Sequence, residues 1–227
     1  MRDSSRAPKW LHVIAGISVF ILVLAGVAVT IIGGRTNGQP PESDVLLILV
    51  LPGEDGIVLP RTIDRYQFED GAAQVRSLDP LSTVTIPGTG FDLLRDIYPF
   101  EGPTGLAEWV SAGSSLPSYV VLDAEDLGVL AAESELTVQI PIQMDVFDGE
   151  QMFTFPQGSM ALDATQISAM LRGVEYLESA DRLAITREMG REIAGALGAS
   201  GLPHGEVETN LSLDEYQRWT SGLESAP

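Results

Sequence analysis

The 227-residue chain has no cysteine, two histidines and a single lysine, Lys9. Without cysteine there is no disulfide, no zinc–thiolate site and no thiol nucleophile, so stability has to come from a buried core. His12 falls in an apolar run and His204 in a Gly/Pro-rich loop, so a Ser-His-Asp triad would hang on one loop histidine, and histidine metal ligation is equally short of donors. GxSxG, HExxH and a P-loop are all missing. GTG at 88–90 and GGRTNG at 33–38 lack the strand–turn–helix setting of a nucleotide loop and read as turns. Basic residues are scarce as well: 13 stand against 32 acidic ones, for a net charge of −19. Such a surface repels a phosphate duplex, which excludes nucleic acid as a partner.

What is present begins with 23 residues, Trp10 to Ile32, that hold no Asp, Glu, Lys or Arg. As a helix this run measures roughly 34 Å, enough to cross a bilayer. Arg2, Arg6 and Lys9 precede it against Asp3 alone, and the positive-inside bias keeps the amino terminus in the cytoplasm. A cleaved signal peptide is the alternative, but the run exceeds the roughly 7–15-residue core of such peptides, and the GGRTNGQPPES that follows lacks an A-x-A-like site. The chain therefore divides into a cytoplasmic tail (1–9), a transmembrane anchor (10–32), a linker (33–44), an extracytoplasmic domain (45–200) and an acidic tail with a short helix (201–227). The nine-residue cytoplasmic tail is too short for a DNA-binding domain. Residues 36–227 keep nine basic and 31 acidic side chains, a formal charge of −22.

The external part reads as mixed α and β. VLLILVL (45–51) is a buried strand, IDRYQF (63–68) and AAQVRSL (72–78) flank an EDG turn as a hairpin, and STVTI (82–86) is a further strand. GFDLLRDIYPF and PTGLAEWVSAG suggest helical turns, the second opened by Pro103. LPSYVVLD (116–123) runs into a helix capped by Asp123. Two or three strands follow in ELTVQIPIQMDVFD and QMFTFPQGSM. Asp163 then caps ATQISAMLRG, and a longer helix from about Ala180 to Leu197 presents Leu183, Ile185, Met189, Ile193 and Leu197 on one face. The expected fold is a mixed, mostly antiparallel central sheet flanked by helices.

Arginine gives the one chemical signal. Arg172, Arg182, Arg187 and Arg191 fall within twenty residues of a chain with nine external basic residues. Guanidinium groups bind phosphate oxygens bidentately and stay charged, so two or three facing inward would make a diphosphate site. The competing reading is a solvated helix face on which Glu188 and Glu192 pair with the arginines.

The order VLLILVL, VRSLDPLSTVTIPG, GPTGLAEWV, SYVVLDAEDLGVLAAE, LTVQIPIQM, FPQGSMALDATQISAMLRG and SADRLAITREMGREIAGAL resembles the LytR-CpsA-Psr family over about residues 45–197. SYVVLDAEDL is similar to its YVVVDFEGF strand and helix, and LDATQISAMLRG to its LDGEQALAYxRxR helix. The resemblance implies a membrane-anchored, extracytoplasmic phosphotransferase that moves a glycopolymer from a polyprenyl-pyrophosphate carrier to peptidoglycan, with Mg²⁺ and an arginine cluster on the pyrophosphate. Carried over residue by residue, it makes Arg172 and Arg182 catalytic, adds Arg187 to the pyrophosphate ligands and leaves Asp79 as the metal-binding acid.

The motif is altered in several places. Val174 replaces the second Arg of YxRxR, and Glu188 replaces the Gln after Arg187. Ser77-Leu78-Asp79-Pro80-Leu81 stands for SIPRD, Arg61 stands for the acid before Thr62, and Arg95 is the basic residue of the segment that follows. Asp92, Asp96 and Asp64 offer a rearranged metal site. Two functional classes follow from this: a transferase of altered active site in the cytoplasmic membrane, or a non-catalytic relative that binds the lipid carrier or scaffolds the envelope machinery.

Overall fold

A computed structural model describes residues 44–223, apart from 54, 70–71, 85–89, 91, 112–114 and 201. The tail, membrane anchor and linker expected at 1–9, 10–32 and 33–44 lie outside the described residues, Asp44 excepted. Among the described residues no helix is long and apolar enough to cross a membrane.

The central sheet forms around β1 (Val45–Pro52) because every residue from Val45 to Leu51 is buried. Val45, Leu47, Leu49 and Leu51 point into one hydrophobic layer, and Leu46, Ile48 and Val50 into the other. A strand covered on both faces needs this unbroken apolar run. β1 pairs antiparallel with β2 (Val58–Glu69) and parallel with β4 (Ser118–Leu122). β3 (Ala72–Leu78) and the two-residue β9 (Glu208–Thr209) complete a mixed five-stranded sheet of order β3-β2-β1-β4-β9. The strand expected over 82–86 is reduced to a bridge between Thr83 and Leu93, with 85–86 outside the described residues.

Helices cover both faces. α1 (Tyr98–Ser111) breaks at Gly102, whose φ of 67° only glycine adopts freely, and Pro103 opens its longer half. α2 (Ala124–Glu133) and α3 (Ala164–Gly173) both start in capping boxes. Asp123 Oδ1 accepts the Glu125 and Asp126 amides at 2.8 and 3.1 Å, and Asp163 Oδ1 accepts the Gln166 amide at 2.8 Å. Between α2 and α3 the chain makes two nested hairpins: β5 (Leu136–Ile140) with β8 (Gly158–Leu162), and β6 (Met144–Phe147) with β7 (Met152–Phe155). Pro141 and Pro156 sit at the two breaks, where the missing N–H ends a ladder.

α4 (Ser179–Ser200) buries Ile185, Met189, Ile193 and Leu197, whereas Leu183 is half-buried. It also lies against Asp64, a β2 carboxyl that is 1% exposed. The Asp64 side chain accepts from Ser77 Oγ at 2.5 Å through Oδ1, and among the described residues Oδ2 has no hydrogen-bond partner. Burial drives its pKa up to about 7, against the lowering effects of the Ser77 bond and the Arg187 charge.

The segment set apart in the sequence as a tail from 201 is part of the domain as far as Leu223. Leu202, Val207, Leu211, Tyr216, Trp219 and Leu223 all belong to the main core, and α5 (Leu213–Leu223) stacks Trp219 edge-on against Tyr66, centroids 6.0 Å apart. Its charged face explains why composition alone hid this. His204 belongs here too. Its Nε2–H donates to the Leu211 carbonyl at 2.8 Å and its ring meets Tyr216, so it is a structural histidine.

Candidate functional site

A cavity of about 660 Å³ opens between the β1–β2 turn, the β6–β7 hairpin and the end of α3, lined by Arg61, Arg95, Arg172 and Glu175 among others. Each arginine arrives by a distinct local device. In β2 the register against β1 jumps from Thr62 opposite Leu49 to Pro60 opposite Val50, which leaves Arg61 as the extra residue of a bulge. Bulges re-aim a side chain, and this one turns a cation inward at 6% exposure. Arg95 sits on the 3-10 turn Leu94–Ile97, its amide tied to the Pro80 carbonyl at 2.9 Å. Arg172 lies in the last turn of α3.

Glu175 follows on the 3-10 turn Val174–Tyr176 and bridges two of these cations, contacting Arg61 and, at 2.6 Å, Arg95 Nη1. Burial lowers the Arg61 pKa to about 10, reinforced by the Arg95 and Arg172 charges and opposed by Asp55 and Tyr176. Arg172 Nε donates to the Ser168 carbonyl at 3.4 Å, and among the described residues no carboxylate pairs with Arg172. The end of α3 closes onto the hairpin at Gly173, where an added Cβ would lie 2.3 Å from Val146 Cγ2. A side chain there would push Arg172 and Glu175 away from β6.

Of the four site residues the resemblance carries over, Arg172, Arg182, Arg187 and Asp79, Arg172 alone lines this cavity. Arg182 and Asp79 are brought together, with each other: Arg182 Nε and Nη2 donate to the two Asp79 oxygens at 3.0 and 2.8 Å, and Arg182 Nη1 donates to the Leu177 carbonyl at 2.9 Å. Ser179 Oγ and the Leu81 amide take up Asp79 as well. Burial pushes the Asp79 carboxyl upward, yet the bonds from Arg182, Leu81 and Ser179 outweigh it and hold the pKa below the usual range. This clasp anchors the loop after β3 to the start of α4. Arg187 is exposed on α4 beside Asp64. Arg191 pairs with Glu188 and Glu192 at 2.7 and 3.3 Å on a solvated face, as the competing reading has it.

Removing the clasp with Arg182→Ala is expected to cost about 2 kcal/mol in urea unfolding, with Arg182→Lys recovering only part of it because the bidentate fork is lost. Arg172→Ala should stay within about 0.5 kcal/mol of wild type in the same measurement.

Magnesium needs several oxygen donors. Asp79, the acid the resemblance offers, has both oxygens committed to Arg182, and at the other expected acid position the chain carries the Arg61 cation. Among the described residues no three His, Cys, Asp or Glu side chains converge on a point that could hold a metal. The residues present do not fit the ion.

Arg61 and Arg95 stand out in the sequence only as departures from a motif. The Pro60-Arg61 pair inside a strand was the available signal for a bulge. Nothing in the sequence marks Glu175 as a bridge.

Comparison with models of protein families gives no match, and no curated protein sequence matches either. Solved structures do. A LytR-Csp2A-Psr enzyme from Actinomyces oris superposes with a TM-score of 0.61 at 14% identity, covering 81% of this chain and 76% of that one. B. subtilis TagV gives 0.58 at 13% identity over 82% and 83%. TagT bound to LIIa-WTA gives 0.57 at 18% identity over 85% and 79%. The fold is that of the LytR-CpsA-Psr proteins. On this LytR-CpsA-Psr fold the arginine-lined cavity is built by a β2 bulge, the loop after β3 and the end of α3.

Proposed function

We propose that this chain is a membrane-tethered, extracytoplasmic module of the cell envelope that holds the diphosphate of a polyprenyl-linked glycopolymer. The observation that carries the reading is the meeting of Arg61, Arg95 and Arg172 at one cavity, with Arg172 uncommitted to any carboxylate among the described residues. A diphosphate seats on Arg172 first and competes with Glu175 for Arg61 and Arg95, exchanging one carboxylate for two phosphate groups. Those bonds are charge-assisted and bidentate, which gives the contact its strength. The likeness to TagT bound to LIIa-WTA supports a glycopolymer as the ligand, and the apolar run at 10–32 supports the tether.

Phosphotransfer is the second reading, favoured by the buried Arg61. Fixed cations aimed at a phosphoryl group stabilise the charge that develops in transfer, and removing one such contact costs on the order of 10²–10³ in rate. The altered acid positions place holding ahead of transfer. The test is binding of a short polyprenyl pyrophosphate to the full-length chain in detergent, by isothermal titration. Arg172→Ala is expected to weaken binding at least about 30-fold, the value of roughly one charge-assisted pair, with unfolding unchanged. Equal affinity in the variant refutes the site.

A further inference from the structure

A second hollow, of about 410 Å³, opens on α1 and shares no lining residue with the arginine-lined cavity. Glu101, Gly105, Glu108 and Trp109 line it. Gly105, Glu108 and Trp109 fall at i, i+3 and i+4 and so share one face of the helix that Pro103 opens. Glu101 stands before the break at Gly102 and still reaches that face. Its side chain lies over Gly105, where an added Cβ would come within 2.3 Å of Glu101 Cβ and 2.7 Å of its Oε2. The missing side chain at 105 is what lets this carboxylate lie against the helix.

Trp109 is half-buried and packs on the hydrophobic layer of Leu46, Ile48 and Val50, which holds the indole in place. Glu101 and Glu108 are exposed, and among the described residues no arginine pairs with either. Two carboxylates facing one hollow repel each other, and a cation between them relieves the repulsion. The indole face attracts the same cation, and the formal charge of −22 on residues 36–227 favours its approach.

The donor set narrows the kind of cation. Two acids are too few for a divalent metal, which needs several oxygen donors. A quaternary ammonium has no N–H to give to a carboxylate. A guanidinium spends its planar fork on one carboxylate, whereas an ammonium is a compact charge whose three rotatable donors serve two carboxylates on different sides. Its alkyl stem lies along the apolar indole.

We infer that this hollow binds a primary ammonium on an alkyl stem, presented by a lysine-type side chain of a peptide. One pair of carboxylates matches one ammonium, and a free diamine would leave its second charge unmatched. The site does not depend on the diphosphate reading of the arginine cavity.

The experiment labels the full-length chain with fluorotryptophan and follows the fluorine resonance of Trp109, assigned with Trp109→Phe, in detergent at about 0.15 M salt. The probes are Nα-acetyl-lysine amide, the corresponding norleucine and arginine amides, and cadaverine. The lysine amide is expected to shift the resonance saturably and to bind at least about tenfold more tightly than the norleucine amide, which lacks the charge. Glu101→Gln and Glu108→Gln should each weaken it about fivefold with urea unfolding unchanged, and Gly105→Ala, which displaces Glu101, should match Glu101→Gln. The absence of a saturable shift, equal binding of the norleucine amide, or full binding in both glutamine variants overturns the site. Tighter binding of the arginine amide overturns the choice of ammonium. Tighter binding of cadaverine gives the hollow to a free diamine and overturns the peptide.

Discussion

Raising the pH from 4 to 7 is expected to cost wild-type protein about 3 kcal/mol relative to Asp64→Asn, with a slope that reaches about 1.4 kcal/mol per pH unit between the two pKa values. The cause is the buried Asp64 carboxyl, whose pKa stands near 7 in the fold against an ordinary 3.8. Because the folded value is the raised one, the native state holds a proton that the unfolded chain has released. The stability this gives is complete below pH 4 and disappears as pH climbs through 7. Asp79 shifts the opposite way, so the total profile mixes both signs. Subtracting the Asp64→Asn profile from wild type cancels Asp79 and isolates Asp64. Urea unfolding at five pH values provides the readout, with the amide variant the more stable protein at pH 8. Parallel profiles for the two proteins would mean that Asp64 is already ionised in the fold.

The second large effect is at Gly190, on the opposite side of the same contact. A Cβ at this position would lie 1.9 Å from Asp64 Oδ2 and 2.8 Å from its Cγ, so helix α4 sits on the sheet only because residue 190 has no side chain. Gly190→Ala ought to gain helix propensity, yet it is expected to cost about 3 kcal/mol through overpacking against the Asp64 carboxyl, which Ser77 holds in place. Combining it with Asp64→Ala removes the obstructing carboxyl. The double variant is expected to recover at least about 1.5 kcal/mol over the sum of the single changes, a coupling of the size residues in contact show. Additive losses would show that α4 shifts freely and that Asp64 does not set its distance from the sheet.

The fold was legible wherever local rules and tertiary demand agree. Val45–Leu51 announces a doubly covered strand by its lack of polar interruption, and Asp123 and Asp163 announce their helices because capping uses neighbours in sequence. Pro103 marked a helix start correctly, with Gly102 supplying the turn before it. The carboxyl-terminal helix was underestimated for the opposite reason. Glu215, Asp214 and Arg218 give its surface the look of a tail, and only the three-dimensional partner of Trp219, Tyr66, reveals that it belongs to the core.

Of the arginines at the candidate cavity, the sequence cluster supplies only Arg172. Clustered arginines admitted two readings, an anion site or a solvated face, and the cluster divides between them: Arg172 lines the cavity, whereas Arg191 pairs with Glu188 and Glu192 on the surface. Arg182 carries the same chemistry but spends it on Asp79, a residue about one hundred positions away that no spacing argument could pair with it. Arg61 reaches the cavity by a bulge, which shifts a strand's alternation by one residue and so defeats a period-2 reading. Glu175 bridges Arg61 and Arg95 from three distant stretches of chain, a meeting that topology makes and sequence does not record.

The most direct test is native mass spectrometry of the full-length protein, purified gently in detergent, beside the Arg172→Ala variant. Wild type is expected to carry an added mass that contains a polyprenyl diphosphate bearing sugar, and Arg172→Ala to lack it. A clean mass for both proteins, under conditions in which TagT keeps its ligand, would contradict this expectation and leave the fold as a scaffold without a phosphate site.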